Sequence, residues 1–557
     1  MKSSIIKINP RRDSIRKLTF LLLLATIGSC TKLDETKYLY DTVNSDGFYQ
    51  TDAELSSAVG AAYSNLSAIG SNNHYLTINE AMTDECVVPT RGPDWGDGGR
   101  WVRLITHTVQ STDPDPSNGW NFCYSGVNTC NRLIATLTKY TNPKIPQYTA
   151  ELRGLRAIYY LWLLDWYGNV PISIDFTATT PPANSTRDQV YALVESELLA
   201  VASVLPHTGP AAESTYGRVN AYTCWAALAK LYLNAQLYTG TPQWDKCIAA
   251  CDTLINSGLY ALTPNYADNF ARQNKGVPET IFTVPFDHVH EQGLNICMMT
   301  LNGLNQNTYN MNAQPWNGFA SIQEFYNSYI DPTQNPGPQG RVVGTDPAGD
   351  SVTGTLDKRL GNFLVGPQFG SDGKPLLDGG YEKDGPGYAG DPNGAPITFT
   401  PYINQLAPTA WRQSGARIGK WTFYSGMTQN QDNDFAIFRY ADVLLTAAEA
   451  SARKNNSWND PYALTIVNQI RTVHGGVTPY TTMTAATFLA ERGREMFFEG
   501  WRRQDQIRFG VFNDAWRFHP ADPADNLGPH GINHVNILPL PDAQLNANKN
   551  LKQNPGY

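Results

Sequence analysis

The segment from residue 84 to residue 101 carries side chains suited to binding a planar or sugar-like ligand. Trp95 and Trp101 offer flat aromatic faces against which the apolar face of a sugar ring can stack. Arg91 supplies a forked donor, and Asp94 and Asp97 supply paired acceptors that match neighbouring hydroxyl groups. The glycines between these residues allow the backbone to approach a ligand closely. We therefore expect a binding surface in this segment.

A second segment, residues 314–319, has the same ingredients, because Trp316 stands beside Asn317 and a glycine. Together the two segments favour a glycan-binding platform that uses Trp95 as its main stacking face and Trp101 or Trp316 as a second one. The alternative is that either tryptophan is buried as the plug of its own loop. Aromatic rings fill cores as well as they bind ligands, so the sequence leaves this alternative open.

Motifs of catalysis and of metal binding are scarce. The sequence has no HExxH, GxSxG or Walker motif and no GxGxxG fingerprint after a strand. Residues 288–291 lack the spacing of a helical metal site, and residues 113–124 fail the pattern of a calcium loop. Glu491 and Glu495 stand among arginines, which indicates a structural ion network rather than the paired acids of a glycosidase. The sequence thus predicts no catalytic residue, no metal and no cofactor.

The first thirty residues predict secretion. Residues 1–17 carry six basic side chains and one acidic side chain, and an apolar run of ten residues, 18–27, follows. This run is too short to span a bilayer, and it ends in a sequence that resembles a bacterial lipobox with its cysteine at Cys30. We expect a signal peptide over residues 1–29 and acylation, palmitate included, at Cys30, which would anchor the protein at the surface of the outer membrane. An ordinary cleaved signal is the alternative.

Charge and composition exclude two other classes. Hydrophobic residues make up 41% of the chain and charged residues 17%, which is incompatible with intrinsic disorder. Since residues 1–29 carry a net charge of +5, the formal charge of −8 becomes −13 in the mature chain. An acidic protein of this kind is not expected to bind nucleic acid. Seven cysteines remain after Cys30, an odd number without CxxC pairs, which fits neither a disulfide framework nor a zinc site.

Periodicity predicts that helices position these residues. In residues 151–166 the apolar side chains fall on one helical face. Further helices are predicted at about 52–69, 118–140, 187–204, 218–238, 242–256, 436–454, 460–472 and 484–507. Their short connections suggest antiparallel pairs like those of tetratricopeptide repeats. Residues 331–420 hold 17 Gly and 11 Pro, about double the share in the whole chain, so loops and short strands or disorder are expected there.

Five blocks of the sequence resemble, in family order, the SusD/RagB-like surface lipoproteins of Bacteroidetes. The blocks are residues 153–171, 217–233, 438–450, 491–508 and 538–557. The resemblance implies a mostly α-helical, SusD-like fold with tetratricopeptide-like helix pairs and a long, loop-rich, ligand-facing insertion. It implies one domain, residues 30–557, in which helical parts at about 30–330 and 434–557 flank an insertion at about 331–433.

The resemblance also implies a non-enzymatic function. The protein would capture an oligosaccharide or polysaccharide at the cell surface and deliver it to a SusC-like TonB-dependent transporter in the outer membrane. The family's ligand sites lie on loops early and midway in the chain, which adds Tyr309 to the candidates Trp316 and Asn317. A surface glycoside hydrolase and a peptide- or glycoprotein-capturing protein of the same fold remain alternatives. The acidic mature chain favours a neutral glycan, such as a fructan, over a strongly anionic one.

Overall fold

The structure of the protein, a computed structural model, describes residues 49–330, 341–343, 357–379, 387–388 and 391–557. The predicted signal peptide, Cys30 and parts of the predicted insertion lie outside these residues. Within them, no helix combines the length and the apolar character needed to cross a membrane.

Helices dominate the described residues, as predicted. The N-terminal half contains α1 (Asp52–Tyr63), α2 (Tyr75–Glu80), α3 (Arg100–Ile105), α4 (Pro114–Leu137), α5 (Ile145–Tyr167), α6 (Arg187–Ala202), α7 (Ala221–Leu233), α8 (Ala235–Thr239) and α9 (Trp244–Ile255). Three short helices follow, α10 (Ile296–Thr300), α11 (Asn305–Tyr309) and α12 (Gln323–Asn327). The C-terminal part contains α13 (Tyr440–Lys454), α14 (Pro461–Ile470), α15 (Ala485–Met496), α16 (Arg502–Phe509) and α17 (Asp542–Ala547).

The long helices pack in succession: α4 against α5, α5 against α6, α6 against α7, α7 against α9, α9 against α13 and α13 against α14. Local signals in the sequence start several of them. Thr186 and Gln189 form a capping box at α6, and Asp460 caps α14, whose first residue is a proline. The mostly α-helical class is confirmed. The likeness of the helix pairs to tetratricopeptide repeats stays a prediction.

Helix α5 lies at the centre of the N-terminal half. Every residue from Gly154 to Tyr167 is buried, because α1, α4, α6 and α7 all pack against this helix. The prediction of a single buried face was therefore too narrow, since this stretch is buried on every side, including the charged Arg156 and Asp165. Gly126 permits the close approach of α4, because a Cβ at this position would lie 2.2 Å from the ring of Tyr159.

Two predicted helix boundaries were wrong. The helix expected at 436–454 begins at Tyr440, since Phe435–Arg439 is a strand that pairs antiparallel with Thr280–Val284. The helix expected at 484–507 is two helices, α15 and α16. Between them Phe498 and Gly500 adopt positive φ angles of 58° and 84°, which no helix accommodates. Both differences arise from tertiary contacts that local periodicity does not report.

The described part of the predicted insertion contains loops and short strands, one of the two expected outcomes. Along the described residues the strands are β1 (Thr280–Val284), β2 (Arg341–Val343), β3 (Phe363–Gln368), β4 (Gly387–Tyr388), β5 (Asp391–Pro392), β6 (Thr398–Phe399), β7 (Arg417–Ile418) and β8 (Phe435–Arg439). Strands β2 to β7 belong to the insertion, and β1 and β8 lie outside it. Strand β3 pairs with β2 in parallel and with β6 and β7 antiparallel. The seven cysteines after Cys30 are all buried and free in the structure.

A buried ion network joins the C-terminal helices to the rest of the fold. Glu495 accepts hydrogen bonds from Arg439 at 2.8 Å, from Arg359 at 3.1 Å and from His474 at 2.8 Å. Glu491 pairs with the same Arg359 at 2.8 Å, and with Arg471 and Arg494. The expected structural network at Glu491 and Glu495 is confirmed. Because Glu491, Glu495, Arg359 and Arg439 are all desolvated, removing one of them would leave an uncompensated buried charge, which costs roughly 3–5 kcal/mol.

His474 makes this network sensitive to pH. Burial alone lowers the pKa of His474, but the charges and hydrogen bonds of Glu495 and Glu279 outweigh burial and raise the pKa from 6.5 to about 9. A folded-state pKa above the unfolded value means that protonation stabilises the fold. This contribution is fully present below pH 6.5 and is lost as the pH rises through 9.

We predict that the free energy of unfolding of the wild-type protein falls by up to about 3 kcal/mol between pH 6.5 and pH 9. The His474→Gln variant, measured by urea denaturation over the same range, should lose most of this slope. His530→Gln, which changes a histidine paired with Asp188 near the surface, serves as the control and should keep the slope. Equal slopes in wild type and His474→Gln would contradict the assignment.

Candidate functional site

Segments from distant parts of the chain, around residues 72, 94–97, 302–317, 378–379 and 412, meet at a cleft of about 670 Å³. The cleft is lined by Asn72, Asp94, Trp95, Asp97, Asn302, Gly303, Leu304, Gln314, Pro315, Trp316, Asn317, Asp378, Gly379 and Arg412. Five of the eight predicted ligand-binding residues are in this set, although they come from two segments more than 200 positions apart. The fold therefore brings the two predicted segments together, and their role in binding stays a prediction.

Trp95 is half-buried and packs against the base of the cleft. Its Nε1 donates a hydrogen bond of 2.6 Å to the carbonyl oxygen of Trp316. Its ring lies edge-on to Trp101, with centroids 5.2 Å apart, and to Phe319, with centroids 5.7 Å apart. The indole is thus fixed in orientation by its neighbours rather than free to rotate.

Trp316 supplies the more accessible ring. Its side chain is 37% exposed, and its ring centroid lies 6.4 Å from that of Trp95 at an interplanar angle of 53°. Two aromatic faces inclined in this way form an open, curved surface rather than a flat one. Such a surface suits a ligand that bends along its length.

Charged side chains flank the two rings. Asp94 and the exposed Asp97 lie on one loop, and Asp97 accepts a hydrogen bond of 2.6 Å from Nε1 of Trp101. Asp378 and Arg412, which also line the cleft, form an ion pair at 2.7 Å. Arg412 donates in addition to the side chain of Asn393 at 2.8 Å. The cleft therefore presents three carboxylates and one guanidinium, held by contacts within the protein.

Arg91 does not face the cleft, contrary to the prediction. It is fully buried, and its guanidinium donates to the carbonyl oxygens of Asn317 at 2.7 Å, Gly318 at 2.5 Å and Ser414 at 2.7 Å. A fourth bond reaches the carbonyl of Trp411. Since a guanidinium is planar and carries fixed donors, these bonds hold three loops in one geometry. Arg91 positions the cleft instead of contacting a ligand.

Trp101 and Tyr309 are also buried, which corrects their predicted role as ligand contacts. Trp101 is 1% exposed, its Nε1 bonds to Asp97, and the guanidinium of Arg100 stacks on it at 4.3 Å. It is therefore the loop plug that the sequence left open as an alternative. Tyr309 is 6% exposed and packs on Phe423 within a separate small core. Neither ring lines the cleft.

Asn317 lines the cleft but is mostly buried. Its φ of 56° places it in the left-handed region, which asparagine tolerates better than most residues. Its buried Oδ1 has no hydrogen-bond partner among the described residues. The main contribution of Asn317 is therefore its backbone conformation, which forms the turn beside the exposed Trp316.

Sequence reasoning missed Asp378, Arg412, Asn302 and Asn72 as lining residues. Asp378 and Arg412 lie in the stretch rich in Gly and Pro, where periodicity gives no information about position. For Arg412, the sequence feature that could have indicated a binding role is the adjacent Trp411, an aromatic residue in a stretch rich in Gly and Pro. Asn302 and Asn72 carried no signal, because an asparagine in a loop is ordinary turn chemistry.

Buried acids tie the base of the Trp95 loop to the turn between α15 and α16. Glu80 accepts a hydrogen bond of 2.5 Å from the backbone N–H of Gly500, and Glu85 accepts one of 2.9 Å from that of Phe498. Arg502 pairs with Asp84 through two bonds of 2.7 Å. Burial raises the pKa of Glu85 to about 7 and, together with the charge of Glu85, raises that of Glu80 well above its usual value. The base of the Trp95 loop and the turn between α15 and α16 are therefore one connected unit.

The rejected calcium-like segment has a structural role beside the cleft. Asp115 accepts from Arg100 at 2.6 Å, and Asp113 accepts from Arg103 at 2.5 Å. Both arginines lie on α3, so these pairs dock α3 onto the start of α4. The acidic residues that suggested a metal loop are paired with arginines instead.

Comparison with known proteins shows the family. A model of the SusD family matches residues 278–557, and a model described as starch-binding, associating with the outer membrane, matches residues 33–233. The chain belongs to the SusD family. It is 25% identical over 508 residues to the starch-binding protein SusD of Bacteroides thetaiotaomicron, covering 88% of this chain and 86% of that protein. A SusD-like protein of Bacteroides ovatus is 23% identical over 508 residues, covering 85% and 80%.

Solved structures agree on the fold. Surface glycan-binding protein A of Bacteroides thetaiotaomicron, solved with laminarihexaose, matches at a TM-score of 0.65 and 21% identity, over 90% of this chain and 99% of that one. A SusD-like protein of Bacteroides fragilis matches at 0.67 and 19% identity, over 92% and 98%. Two of these relatives, SusD and surface glycan-binding protein A, are named as binding proteins, which supports the prediction of a non-catalytic protein.

We predict that Gly318→Ala disturbs the cleft by displacing Trp95. A Cβ at residue 318 would lie 2.3 Å from the Trp95 ring, so the indole must move and strain its bond to Trp316. The substitution should lower the free energy of unfolding by about 1–3 kcal/mol, as overpacking does. Gly379→Ala is the matched control, because Gly379 also lines the cleft and a Cβ there would meet nothing within 4 Å.

A double-mutant cycle identifies the clashing group. In a Trp95→Ala background the Gly318→Ala change should cost little, since the ring that it would strike is gone. An equal loss of stability in both backgrounds would show that Trp95 is not the neighbour that Gly318 accommodates.

Proposed function

We propose that this protein is a non-catalytic cell-surface glycan-binding protein whose ligand lies across Trp95 and Trp316. The observation that carries the proposal is the pair of inclined indole rings, 6.4 Å apart, in a cleft flanked by Asp94, Asp97 and the Asp378–Arg412 pair. Apolar sugar faces stack on the rings, and carboxylates and the guanidinium bond to hydroxyl groups. A volume of about 670 Å³ is within the usual range for ligand sites and accommodates several sugar units.

The charges of the cleft support a neutral glycan. Three carboxylates and one guanidinium give it an acidic character, which disfavours a glycan that carries carboxylate or sulfate groups. Two relatives point the same way, one named for starch binding and one solved with laminarihexaose. We therefore place starch, laminarin and a fructan first among the ligands to be tested.

We further propose that the protein is anchored in the outer membrane through acylated Cys30, exposed at the cell surface, and delivers its ligand to a SusC-like TonB-dependent transporter. The lipobox-like sequence and the outer-membrane association named for the N-terminal family model support this arrangement. A modest affinity suffices, because the anchor and the transporter keep the site where the ligand arrives.

We predict that Trp316→Ala weakens glycan binding at least about tenfold while leaving the fold intact, because the ring is exposed and its loss leaves no buried cavity. Retardation in native gels that contain starch, laminarin or levan measures the affinity of the mature protein. Tyr462→Ala is the matched control, since Tyr462 is 40% exposed and belongs to α14, away from the cleft. Trp95→Phe tests the second ring: it keeps an aromatic side chain in place but removes the hydrogen bond from Nε1 to Trp316.

Three outcomes would contradict the proposed function. Unchanged retardation of Trp316→Ala and Trp95→Phe would remove the cleft from glycan binding. Preference for polygalacturonate over all three neutral glycans would contradict the charge argument. New reducing ends after incubation of the purified protein with a retained glycan would indicate a hydrolase instead.

The anchor has its own test. We predict that the full-length protein, labelled with a palmitate analogue in its native host, incorporates the label and sediments with outer membranes. Cys30→Ala should abolish both, because no other thiol follows a lipobox-like sequence in this chain. Cys297→Ala provides the control for loss of a thiol. Continued labelling of Cys30→Ala would show that the acyl chains are attached elsewhere, and an unlabelled wild type would show that the protein is not acylated.

A further inference from the structure

A second cluster of side chains, separate from the cleft, has the geometry of a metal centre. Nδ1 of His107 lies 2.7 Å from Oδ2 of Asp522, and Nε2 of His519 lies 3.5 Å from the same oxygen. These ligand atoms all lie within 4.8 Å of one another. His107 and Asp522 are 415 positions apart in the sequence, so no motif announced the cluster.

The outer nitrogens of both imidazoles bond to backbone carbonyl oxygens. Nε2 of His107 lies 3.0 Å from the carbonyl of Met82, and Nδ1 of His519 lies 2.8 Å from that of Ile105. A carbonyl oxygen only accepts, so each of these nitrogens must carry the ring proton. The nitrogens that face Asp522 then hold lone pairs. This arrangement, with a carbonyl behind each imidazole, is how proteins orient histidines that bind metals.

Three electron-rich atoms that face one another need protons or a metal ion between them. A proton on His107 would satisfy its contact with Asp522 alone. Nε2 of His519, on a side chain that is 1% exposed, would still lack a hydrogen-bond partner within the described residues. A metal ion satisfies all three atoms at once.

We propose that His107, His519 and Asp522 bind one Zn²⁺ ion. Two imidazoles and one carboxylate suit zinc or a similar transition metal, whereas Ca²⁺ and Mg²⁺ prefer oxygen ligands. With bonds of about 2.0–2.1 Å, ligand atoms in a tetrahedral zinc site lie roughly 3.3 Å apart. The observed 3.5 Å between His519 and Asp522 is close to this spacing, whereas the 2.7 Å between His107 and Asp522 must widen by about 0.6 Å when the ion binds. A water molecule would complete the four ligands.

The surroundings of the cluster suit a structural ion. The ring of His107 stacks on Phe512, with centroids 4.0 Å apart, and Asn513 donates to Oδ2 of Asp522 at 3.0 Å. His107 lies two residues after the end of α3, and α3 begins beside the cleft loop that bears Trp95. The ion would therefore clamp this loop region to the C-terminal segment that contains Asp522.

The other buried cluster of this type, Glu279, His474 and Glu495, provides a contrast within the same molecule. There Arg439 pairs with both glutamates, and His474 donates to Glu495, so arginine charge already neutralises the carboxylates. Among the described residues Asp522 has no arginine partner, and its carboxylate contacts His107, His519 and the neutral amide of Asn513.

Titration with Zn²⁺ alone tests the proposal. The mature protein is stripped with a chelator, and binding is followed by calorimetry and by a zinc-dependent rise in melting temperature. We expect one equivalent of Zn²⁺ per chain. Binding should weaken at least tenfold in His519→Ala and in the isosteric Asp522→Asn, with circular dichroism confirming that both fold. His530→Ala, which removes an outlying histidine paired with Asp188, should bind as wild type does.

A spectroscopic probe completes the test. Co²⁺ in place of Zn²⁺ should give the intense visible bands of a tetrahedral site in wild type and in His530→Ala, but not in Asp522→Asn. Absence of saturable Zn²⁺ binding by the wild type would overturn the proposal, as would stoichiometric binding by a folded His519→Ala. Neither readout involves a glycan, so the result is independent of the function proposed for the cleft.

Discussion

The fold depends on burying a set of charges that only mutual pairing makes tolerable. Glu491 and Glu495 on α15 pair with Arg359 from the insertion and Arg439 from the end of β8, while Asp442 and Asp505 bracket Arg492 in the same interior. An unpaired charge in such surroundings costs several kcal/mol, so these segments must dock together or not at all. Pairing of this kind contributes little net stability, but it selects one arrangement of the C-terminal helices.

The geometry of the cleft depends on this buried ion network. The turn between α15 and α16, which the network holds in place, offers two backbone N–H groups to Glu80 and Glu85, and these acids fix the start of the Trp95 loop. Arg91 then joins that loop to the carbonyls of two others. The positions of Trp95 and Trp316 at the cleft thus depend on buried polar contacts beneath them. This is why a residue that resembles a ligand contact in the sequence can be a positioning residue in the structure.

Local sequence predicted most helices because helical periodicity and capping are properties of neighbouring residues. Prediction failed where distant partners override local preference. Phe435–Arg439 directly precedes the helix α13 but is extended, since β1 offers it hydrogen bonds. Likewise, the ends of α15 and α16 are set by contacts with α2 and with Glu85. The ion network was recognised from Glu491, Glu495 and the arginines beside them, whereas Arg359 and Arg439 could not be assigned to it without the fold.

The sequence by itself determined the helical class, the family, and the two segments whose tryptophans meet in the cleft. Tertiary structure alone decided that Trp316 is exposed, that Trp101 is a plug, and that Asp378 and Arg412 complete the cleft from the far side. It alone brought His107 to His519 and Asp522. The physical reason is that residue type and local spacing specify what chemistry a side chain can perform. Exposure and partners depend on how segments hundreds of residues apart pack against one another.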